Sequence, residues 1–268
     1  MDIIYKKKKE LYFKFLNNLP QKINSNFFKK FKGSYEINNK SKKKNLFDPV
    51  TSIDKNLELF LRRLIKKKFP NDGIRGEEFK EVKTKTGFTW IIDPIDGTRS
   101  FIIGGPTWSN LISLDHNGTP LLGLANFPVL NKYYITGPNH KSYLVQKKNK
   151  KILKSLNNKS FSKIKVAAGL YGFSLKKQMK VSKFIDLVEY PCCDALSYCQ
   201  VAEGKLDVVA QSSNKIWDIH PLISIIESAG GVVTTWKNKN ASKGGNILAS
   251  ANKTIHNKIL KLLKSEFK

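Results

Sequence analysis

The stretch Trp90-Ile91-Ile92-Asp93-Pro94-Ile95-Asp96-Gly97-Thr98 decides the fold class of this chain. An apolar run that is typical of a buried strand delivers two carboxylates into a turn, which Pro94 and Gly97 define. Paired carboxylates at the end of a buried strand are costly unless a cation neutralises them, and such dense oxygen ligands suit Mg2+. Gly97 and Thr98 offer backbone N–H groups at a predicted helix start, which is a phosphate-binding arrangement. A metal and a phosphate in one turn indicate phosphoester chemistry.

Length and composition are those of a globular protein with a substantial core. The chain has 268 residues, of which 40% are hydrophobic and 11% aromatic, enough for one large domain or two ordinary ones. It contains no apolar run of about 18 residues, the length that a membrane-spanning helix needs. Its first nine residues lack the apolar core and cleavage site of a secretion signal. We therefore expect a cytoplasmic protein with no membrane partner.

The net charge of +27 raises the possibility of a nucleic-acid partner. Arginine is the residue that clamps phosphates and reads bases, yet the chain has only Arg62, Arg63, Arg75 and Arg99. The lysines are spread along the whole chain, which favours a compositional bias on solvated faces over a dedicated polyanion surface. No specific nucleic-acid partner is predicted.

Hydrophobic patterning predicts an α+β half that carries the first metal motifs. Residues 7–32 have rough helical spacing, and a second helix that follows Asp48 has Leu57 and Leu61 on one face and Asp54 near its start. Strand-like segments then run from residue 88 to about 146, namely 109–115, 119–127, 131–136 and 142–146. The polar residues 147–162 have no pattern and mark the predicted boundary. The N-terminal part is therefore placed at 1–147.

The predicted C-terminal part, residues 160–268, alternates strands and helices as an α/β unit does. It is expected to carry the substrate contacts and the last metal ligand. Strands are predicted at 163–168, 187–190, 206–210, 232–235 and 246–249, and helices at 194–202, 218–229 and 253–267. Cys192, Cys193 and Cys199 are expected to be reduced thiols away from the metal motifs, because no zinc-binding or nucleophile pattern surrounds them.

Two further motifs flank the central turn, Gly76-Glu77-Glu78 upstream and Trp217-Asp218-Ile219 downstream. In this order and at this spacing, G-E-E, D-P-I-D-G-T and W-D resemble the motifs of the inositol-monophosphatase-like family of Mg2+-dependent, lithium-sensitive phosphatases. The resemblance extends from about Asp48 to the C-terminus. It implies a layered αβαβα sandwich of the inositol monophosphatase / fructose-bisphosphatase type. It also implies a homodimer that hydrolyses a small phosphate monoester.

The resemblance further implies that two or three Mg2+ ions are bound by four acids and one backbone carbonyl. These ligands are Glu77, Asp93, the carbonyl of Ile95, Asp96 and Asp218. Any one acid alone is more often a surface residue or a helix cap, but four of them recur here in a chain with only 21 acidic residues. For Glu78 the alternatives of a residue supporting the ligands and a solvated bystander remain open.

Asp54 and Thr98 resemble the family's water-activating pair, with Glu77 as the third catalytic residue. The threonine hydroxyl would hydrogen-bond the attacking water while the aspartate receives its proton. One metal would activate that water and another would stabilise the leaving alkoxide. Each residue also has a plain structural interpretation as a helix cap, and the two roles are compatible.

The flank of the central turn, Thr98-Arg99-Ser100-Phe101 through Pro106, resembles the histidinol-phosphatase type within the family. Asp194 also favours the histidinol-phosphatase type, because a pocket carboxylate would pair with the cationic histidinol. One departure is Gln211, which stands where many members place a substrate-binding glutamate. The implied substrate contacts are Gly97, Thr98, Arg99, Asp194 and Gln211. The alternatives are an inositol-1-monophosphatase and a catalytically silent polyanion-binding protein on the same fold.

Overall fold

The computed structural model of the protein describes residues 3–28, 35–42, 49–147, 149–156, 161–170 and 188–266. Its helices are α1 (Ile3–Asn17), α2 (Leu19–Lys22), α3 (Ser52–Lys68), α4 (Thr98–Ile102), α5 (Asp194–Ala202), α6 (Ile216–Glu227) and α7 (Lys253–Glu266). A π-helical turn, Ile23–Phe27, follows α2, and a 3-10 turn spans Phe161–Lys163. Its strands are β1 (Ile37–Asn39), β2 (Pro49–Thr51), β3 (Gly73–Gly76), β4 (Phe88–Asp96), β5 (Ser109–His116), β6 (Thr119–Phe127), β7 (Lys132–Thr136), β8 (Ser142–Gln146), β9 (Asn149–Ile152), β10 (Val166–Gly169), β11 (Val188–Tyr190), β12 (Val208–Asn214), β13 (Val232–Thr235) and β14 (Gly245–Ser250).

The larger sheet has seven strands in the order β3-β4-β5-β6-β7-β8-β9. Strands β3 and β4 are parallel, and every later neighbour is antiparallel. In the β4–β5 ladder Asp93 lies opposite Leu111 and Asp96 opposite Ser109, with an irregular register between the two pairs. This irregularity lets both carboxylates of the central turn reach the same end of the sheet.

The smaller sheet has five strands in the order β11-β10-β12-β14-β13. Strand β10 is parallel to β11 and β12, whereas β14 is antiparallel to both β12 and β13. Strands β1 and β2 form a separate antiparallel pair, and β2 leads directly into α3.

Three cores bind these elements into five layers, because alternate residues of a strand face opposite sides of a sheet. On β6, Leu124 packs with helices α1 and α3, while its neighbour Ala125 faces helices α5 and α6. Those two helices lie between the sheets, and their core includes Leu222, Val209 and Ala249. Helix α7 covers the outer face of the smaller sheet through residues such as Ile259. The order is αβαβα, and the predicted fold class is confirmed.

The predicted strands 119–127 and 142–146 and the helix 194–202 are confirmed with those bounds. The expectation that residues 147–162 lack structure is wrong, because β9 adds the seventh strand to the larger sheet. Its residues are all exposed at the sheet edge, so they carry no alternation that could have revealed a strand. Asp48, Leu187 and Phe267, at the margins of predicted elements, lie outside the described residues.

Other predicted bounds shift by a few residues. The helix placed at 218–229 begins two residues earlier, and the strand placed at 206–210 spans Val208–Asn214. Residues 7–28 of the first helical segment divide among α1, α2 and the π-helical turn. The division of the chain at 1–147 and 160–268 stays a prediction. None of the helices in the described ranges has both the length and the hydrophobicity that crossing a membrane requires.

Candidate active site

A cavity of about 490 Å³ opens where the end of β4 meets α4, α5, α6 and β12. Its walls include ten of the residues predicted from the sequence, namely Glu77, Asp93, Ile95, Asp96, Gly97, Thr98, Arg99, Asp194, Gln211 and Asp218. Asp54 reaches the same site through its contact with Thr98. The folded chain therefore brings the predicted residues to one place, although their individual roles stay predictions.

Three aspartates form the floor of this cavity. One ligand atom from each of Asp93, Asp96 and Asp218 lies within 4.8 Å of the others. Burial and the neighbouring carboxylates raise the pKa of Asp93 and Asp96 well above the usual value, and burial raises the pKa of Asp218 to about 6. Among the described residues, the buried Oδ1 of Asp93 has no hydrogen-bond partner. An all-oxygen group with an unpaired buried atom fits a hard divalent cation.

The other oxygens of the group are held by the backbone around them. Asp96 Oδ2 accepts hydrogen bonds from the Ala195 N–H of α5 at 3.2 Å and from the Ser109 hydroxyl at 3.3 Å. Asp218 Oδ2 accepts the Lys215 N–H at 2.7 Å, in the first turn of α6. The Ala195 contact ties the carboxylate of the central turn to a helix 99 positions later in the sequence.

Glu77 lines the same cavity but has a cationic partner from the chain itself. The Lys40 ammonium, just after β1, donates to Glu77 Oε1 at 2.7 Å and to Glu78 Oε1 at 2.5 Å. Burial raises the pKa of each of these glutamates to about 7, although Lys40 opposes the shift. Burial alone lowers the pKa of Lys40, but the two carboxylates outweigh it and the net shift is upward. No signal in the sequence pointed to Lys40.

The loop that carries Glu77 is positioned by Glu58 of α3, a residue that sequence reasoning missed. Glu58 Oε1 accepts a hydrogen bond from Arg62 Nε at 2.7 Å, while its Oε2 accepts the Glu78 N–H at 2.8 Å. A Cβ on Gly76 would lie 2.1 Å from Glu58 Oε1, so a larger residue here would displace the Glu58 carboxylate from Arg62 and Glu78. The spacing of Glu58 and Arg62, on the side of α3 that carries the apolar stripe, was the available signal.

Asp54 and Thr98 combine the two roles that the sequence left open. The Thr98 hydroxyl lies 3.4 Å from Asp54 Oδ1 and 2.9 Å from the Ile95 carbonyl oxygen. Asp54 Oδ2 accepts the Thr51 N–H at 2.8 Å and the Thr51 hydroxyl, which completes a capping box at the start of α3. Burial raises the pKa of Asp54, and the contacts with Thr51 oppose this shift. One carboxylate oxygen caps the helix and the other faces the cavity threonine.

Asp194 and Gln211 lie together on the far wall. Asp194 Oδ1 accepts a hydrogen bond from Gln211 Nε2 at 3.1 Å, and within the described part of the chain the buried Gln211 Oε1 has no partner. Burial raises the pKa of Asp194, while Gln211 and the positive charge of Arg99 oppose that shift. Asp194 has a φ of +43°, a left-handed conformation that aspartate tolerates better than most residues.

The expectation that the cysteines lie away from the metal motifs is wrong for two of them. Cys192 and Cys193 line the cavity beside Asp194, because the chain returns to the site at the start of α5. Burial, with a contribution from Asp194, raises the pKa of Cys192 to about 12, so this thiol is protonated and a poor nucleophile.

His220 packs in the core, with Nδ1 2.8 Å from Ser113 Oγ and Nε2 3.1 Å from Asp115 Oδ2.

Comparison with known proteins gives a consistent result. The pattern of the inositol monophosphatase family matches residues 10–267. The histidinol-phosphatase of Mycobacterium tuberculosis is 30% identical over 227 residues, which cover 79% of this chain and 83% of that protein. A fructose-1,6-bisphosphatase/inositol-1-monophosphatase of Aquifex aeolicus is 29% identical over 227 residues, covering 81% of this chain and 82% of that protein. The structure of an inositol monophosphatase from Zymomonas mobilis superposes with a TM-score of 0.78 over 95% of this chain and 98% of the other, at 22% identity.

Proposed function

Because this chain belongs to the inositol monophosphatase family and is a phosphomonoesterase, we propose that its substrate is L-histidinol phosphate. Water would cleave this ester to L-histidinol and phosphate. The observation that carries the proposal is the Asp194 carboxylate, which shares one cavity with the three clustered aspartates. Histidinol has an ammonium group and an imidazole, and a carboxylate near the leaving alcohol would bind either cation. A histidinol-phosphatase among the relatives supports this proposal, although an enzyme of other specificity is nearly as similar.

The proposed cofactor is Mg2+, as two or three ions. Asp93, Asp96 and Asp218 would hold it together with Glu77 and the carbonyl of Ile95, all of which line the cavity. The Oδ1 of Asp93, which has no partner among the described residues, and the exclusively oxygen donors support a hard cation over zinc. Bound Mg2+ supplies an activated water and charge stabilisation for the leaving oxygen.

The proposed catalytic residues orient the water and receive its proton. Thr98 has one hydroxyl hydrogen, directed toward Ile95 or Asp54, so a lone pair of its oxygen is left to accept a hydrogen bond from water. Asp54 Oδ1, behind that hydroxyl, would receive the proton as the water oxygen bonds to phosphorus and the P–O bond to the alcohol breaks. The backbone N–H groups of Gly97 and Thr98 would bind the phosphate oxygens.

The proposed specificity pocket consists of Asp194, Arg99 and Gln211. The Gln211 amide donates to Asp194 and presents an unpaired, buried carbonyl oxygen within the described part of the molecule. The Asp194 carboxylate would pair with the positive charge of the substrate. A family glutamate at this position would place two carboxylates in contact, whereas glutamine leaves Asp194 as the one carboxylate among these three residues.

Inositol 1-phosphate is the second candidate substrate. The neutral amide of Gln211 can both donate to and accept from hydroxyl groups, which suits a polyol as well as an amine. The choice between histidinol phosphate and inositol 1-phosphate therefore depends on the charge of Asp194. A cytoplasmic location, a homodimer and inhibition by Li+ remain predictions that accompany this assignment.

The test is phosphate release with Mg2+ on three substrates: L-histidinol phosphate, inositol 1-phosphate and 3′-phosphoadenosine 5′-phosphate. We expect the highest kcat/KM for histidinol phosphate. A higher kcat/KM for inositol 1-phosphate would replace the proposed substrate with the second candidate. Comparable values for all three would argue against a specificity pocket at Asp194.

A further inference from the structure

We propose that the Lys40 ammonium is a tethered cation that competes with a divalent metal ion for Glu77. The acidic site is the group formed by Glu77, Glu78, Asp93, Asp96 and Asp218. In the metal-free protein the Lys40 ammonium would occupy a cation position beside Glu77 and Glu78, at one edge of this site. Before a metal ion could bind Glu77, the Lys40 ammonium would have to leave Glu77 and keep only its contact with Glu78. The inference rests on the proposed role of Glu77 as a metal ligand, and it goes beyond that role by giving the site an internal competitor.

The two edges of the acidic site are neutralised in different ways. At the Asp93 edge three carboxylates face one another, and among the described residues the Asp93 Oδ1 atom has no hydrogen-bond partner. At the Glu77 edge one ammonium donates to two carboxylates at 2.7 and 2.5 Å. One edge therefore depends on a bound ion, whereas the chain itself supplies the positive charge at the other.

The contact lies at the surface and is partly shielded from water. The side chain of Glu78 is 4% exposed, that of Glu77 20% and that of Lys40 25%. A partly shielded ion pair is screened less and holds its partners more strongly than a fully exposed one. The tether also keeps the ammonium at a high effective concentration beside Glu77.

Glu78 completes the exchange because it gives Lys40 a second partner. An ammonium on a four-carbon stem can rotate its three donors between acceptors. The Glu78 backbone is held by Glu58 at 2.8 Å, so its carboxylate stays in place when Glu77 changes partner. This assigns Glu78 a supporting function, one of the two alternatives that the sequence left open.

Lys40 is linked to the catalytic segment through the β1–β2 pair. Strand β1 ends at Asn39, directly before Lys40, and pairs with β2, whose last residue Thr51 caps the helix that carries Asp54. All three residues of β1 are exposed, and the strand is held by its pairing with β2 next to the Lys40 contacts. Metal loading would remove one of the two Lys40 contacts and should therefore partly loosen the backbone amides around β1.

The experiment titrates Mg2+ into wild type and Lys40→Gln by calorimetry. Two variants that remove the same charge serve as matched controls: Lys42→Gln on the same segment, and Lys215→Gln, which lies beside Asp218. We expect Lys40→Gln to bind its weakest Mg2+ about tenfold more tightly, the size expected when a partly buried ion pair no longer competes. We expect Lys42→Gln to match wild type and Lys215→Gln to gain less than Lys40→Gln.

A second measurement follows amide hydrogen exchange of residues 37–40, which does not depend on turnover. In wild type, Mg2+ should speed this exchange, and in Lys40→Gln it should be fast with or without Mg2+. Equal or weaker Mg2+ binding by Lys40→Gln would overturn the inference. An equal gain in Lys215→Gln would also overturn it, because it would indicate a general effect of positive charge on the site and not competition for Glu77. If wild type binds no Mg2+ at all, the proposed metal site fails and this inference fails with it. Normal Mg2+ binding with an unaffected Lys40→Gln overturns the inference alone.

Discussion

Glu58 and Glu78 are joined by a hydrogen bond of 2.8 Å, from the backbone N–H of Glu78 to Oε2 of Glu58. Glu58 is buried in the first helical layer, and its other oxygen pairs with Arg62. Arg62 in turn donates to the carbonyl of Phe79 at 3.0 Å. Two charged residues of one helix therefore hold the backbone at Glu78 and Phe79, directly after Glu77, and the position of a proposed metal ligand depends on α3.

Replacing Glu58 should damage stability and metal binding together. Glu58→Ala leaves the buried Arg62 guanidinium without its carboxylate, and breaking a buried pair in this way costs about 3–5 kcal/mol of unfolding free energy. Denaturant unfolding would measure this loss, and calorimetry would measure the weaker Mg2+ binding. Leu59→Ala, at the exposed neighbouring position, is the matched control and should change neither quantity much. A near-wild-type unfolding free energy for Glu58→Ala would contradict the assigned role.

Asp93→Asn should abolish most of the activity while the fold persists. The change removes a proposed metal ligand, and it also relieves repulsion among three carboxylates that lie within 4.8 Å of one another. The metal-free variant should therefore melt slightly above metal-free wild type, and Mg2+ should raise its melting temperature less. Phosphate release and thermal melting with and without Mg2+ test both expectations. Turnover by Asp93→Asn close to that of wild type would contradict the proposed metal site.

Thr98→Ala should lower kcat by about 10²- to 10⁴-fold with a smaller change in KM, the range typical of lost proton-transfer groups. Thr98→Ser keeps the hydroxyl that lies between Ile95 and Asp54, so it should recover most of the activity. Steady-state kinetics of the two variants would separate a catalytic hydroxyl from a helix cap. Equal kcat for the alanine and serine variants would exclude the proposed water-orienting role.

Asp194→Asn should reduce selectivity for a cationic substrate. Asparagine also tolerates the left-handed φ of +43°, so this substitution isolates the charge from the backbone conformation. A charge-assisted hydrogen bond is worth about 1.5–3 kcal/mol, which predicts a ten- to hundredfold loss in kcat/KM for histidinol phosphate. Inositol 1-phosphate, whose hydroxyls are neutral, should lose little. Equal losses on both substrates would favour a purely structural role for Asp194.

The metal-free protein should lose stability as the pH rises from about 4.5 through 7, and the loss should level off above that range. Glu77 and Glu78 have folded pKa values raised by burial to about 7, whereas their unfolded values lie near 4.5. The folded state therefore holds more protons in this window, and unfolding becomes easier as the protons leave. His256, with a pKa lowered by burial to about 4, acts in the opposite sense but only below its unfolded value of 6.5.

Saturating Mg2+ should remove this pH dependence, because a bound cation compensates the ionised carboxylates. Melting temperatures at several pH values between these limits, with EDTA or Mg2+, provide the measurement. A flat profile in EDTA would show that the acidic site does not control stability. If the melting temperature fell equally with EDTA and with Mg2+, the titrating groups would lie elsewhere in the molecule.

Local sequence was sufficient for the elements whose signals lie within a few neighbouring residues. The apolar run before Asp93 and the apolar face of α3 each depend on hydrophobic periodicity alone. The three motifs around Glu77, Asp93 and Asp218 identified the family in the same way. Strand β9 was missed because an exposed edge strand leaves no such periodicity.

Tertiary structure alone decided which of these segments meet. Lys40 reaches Glu77 across 37 positions, Glu58 reaches Glu78 across 20, and Gln211 reaches Asp194 across 17. Each contact joins different elements, and its geometry depends on how five layers pack, which no local pattern encodes. The sequence by itself determined which oxygen-rich motifs the chain carries. The packing of the layers determined that one edge of the acidic site faces a lysine, because ion pairs form between whichever charges the cores bring within reach.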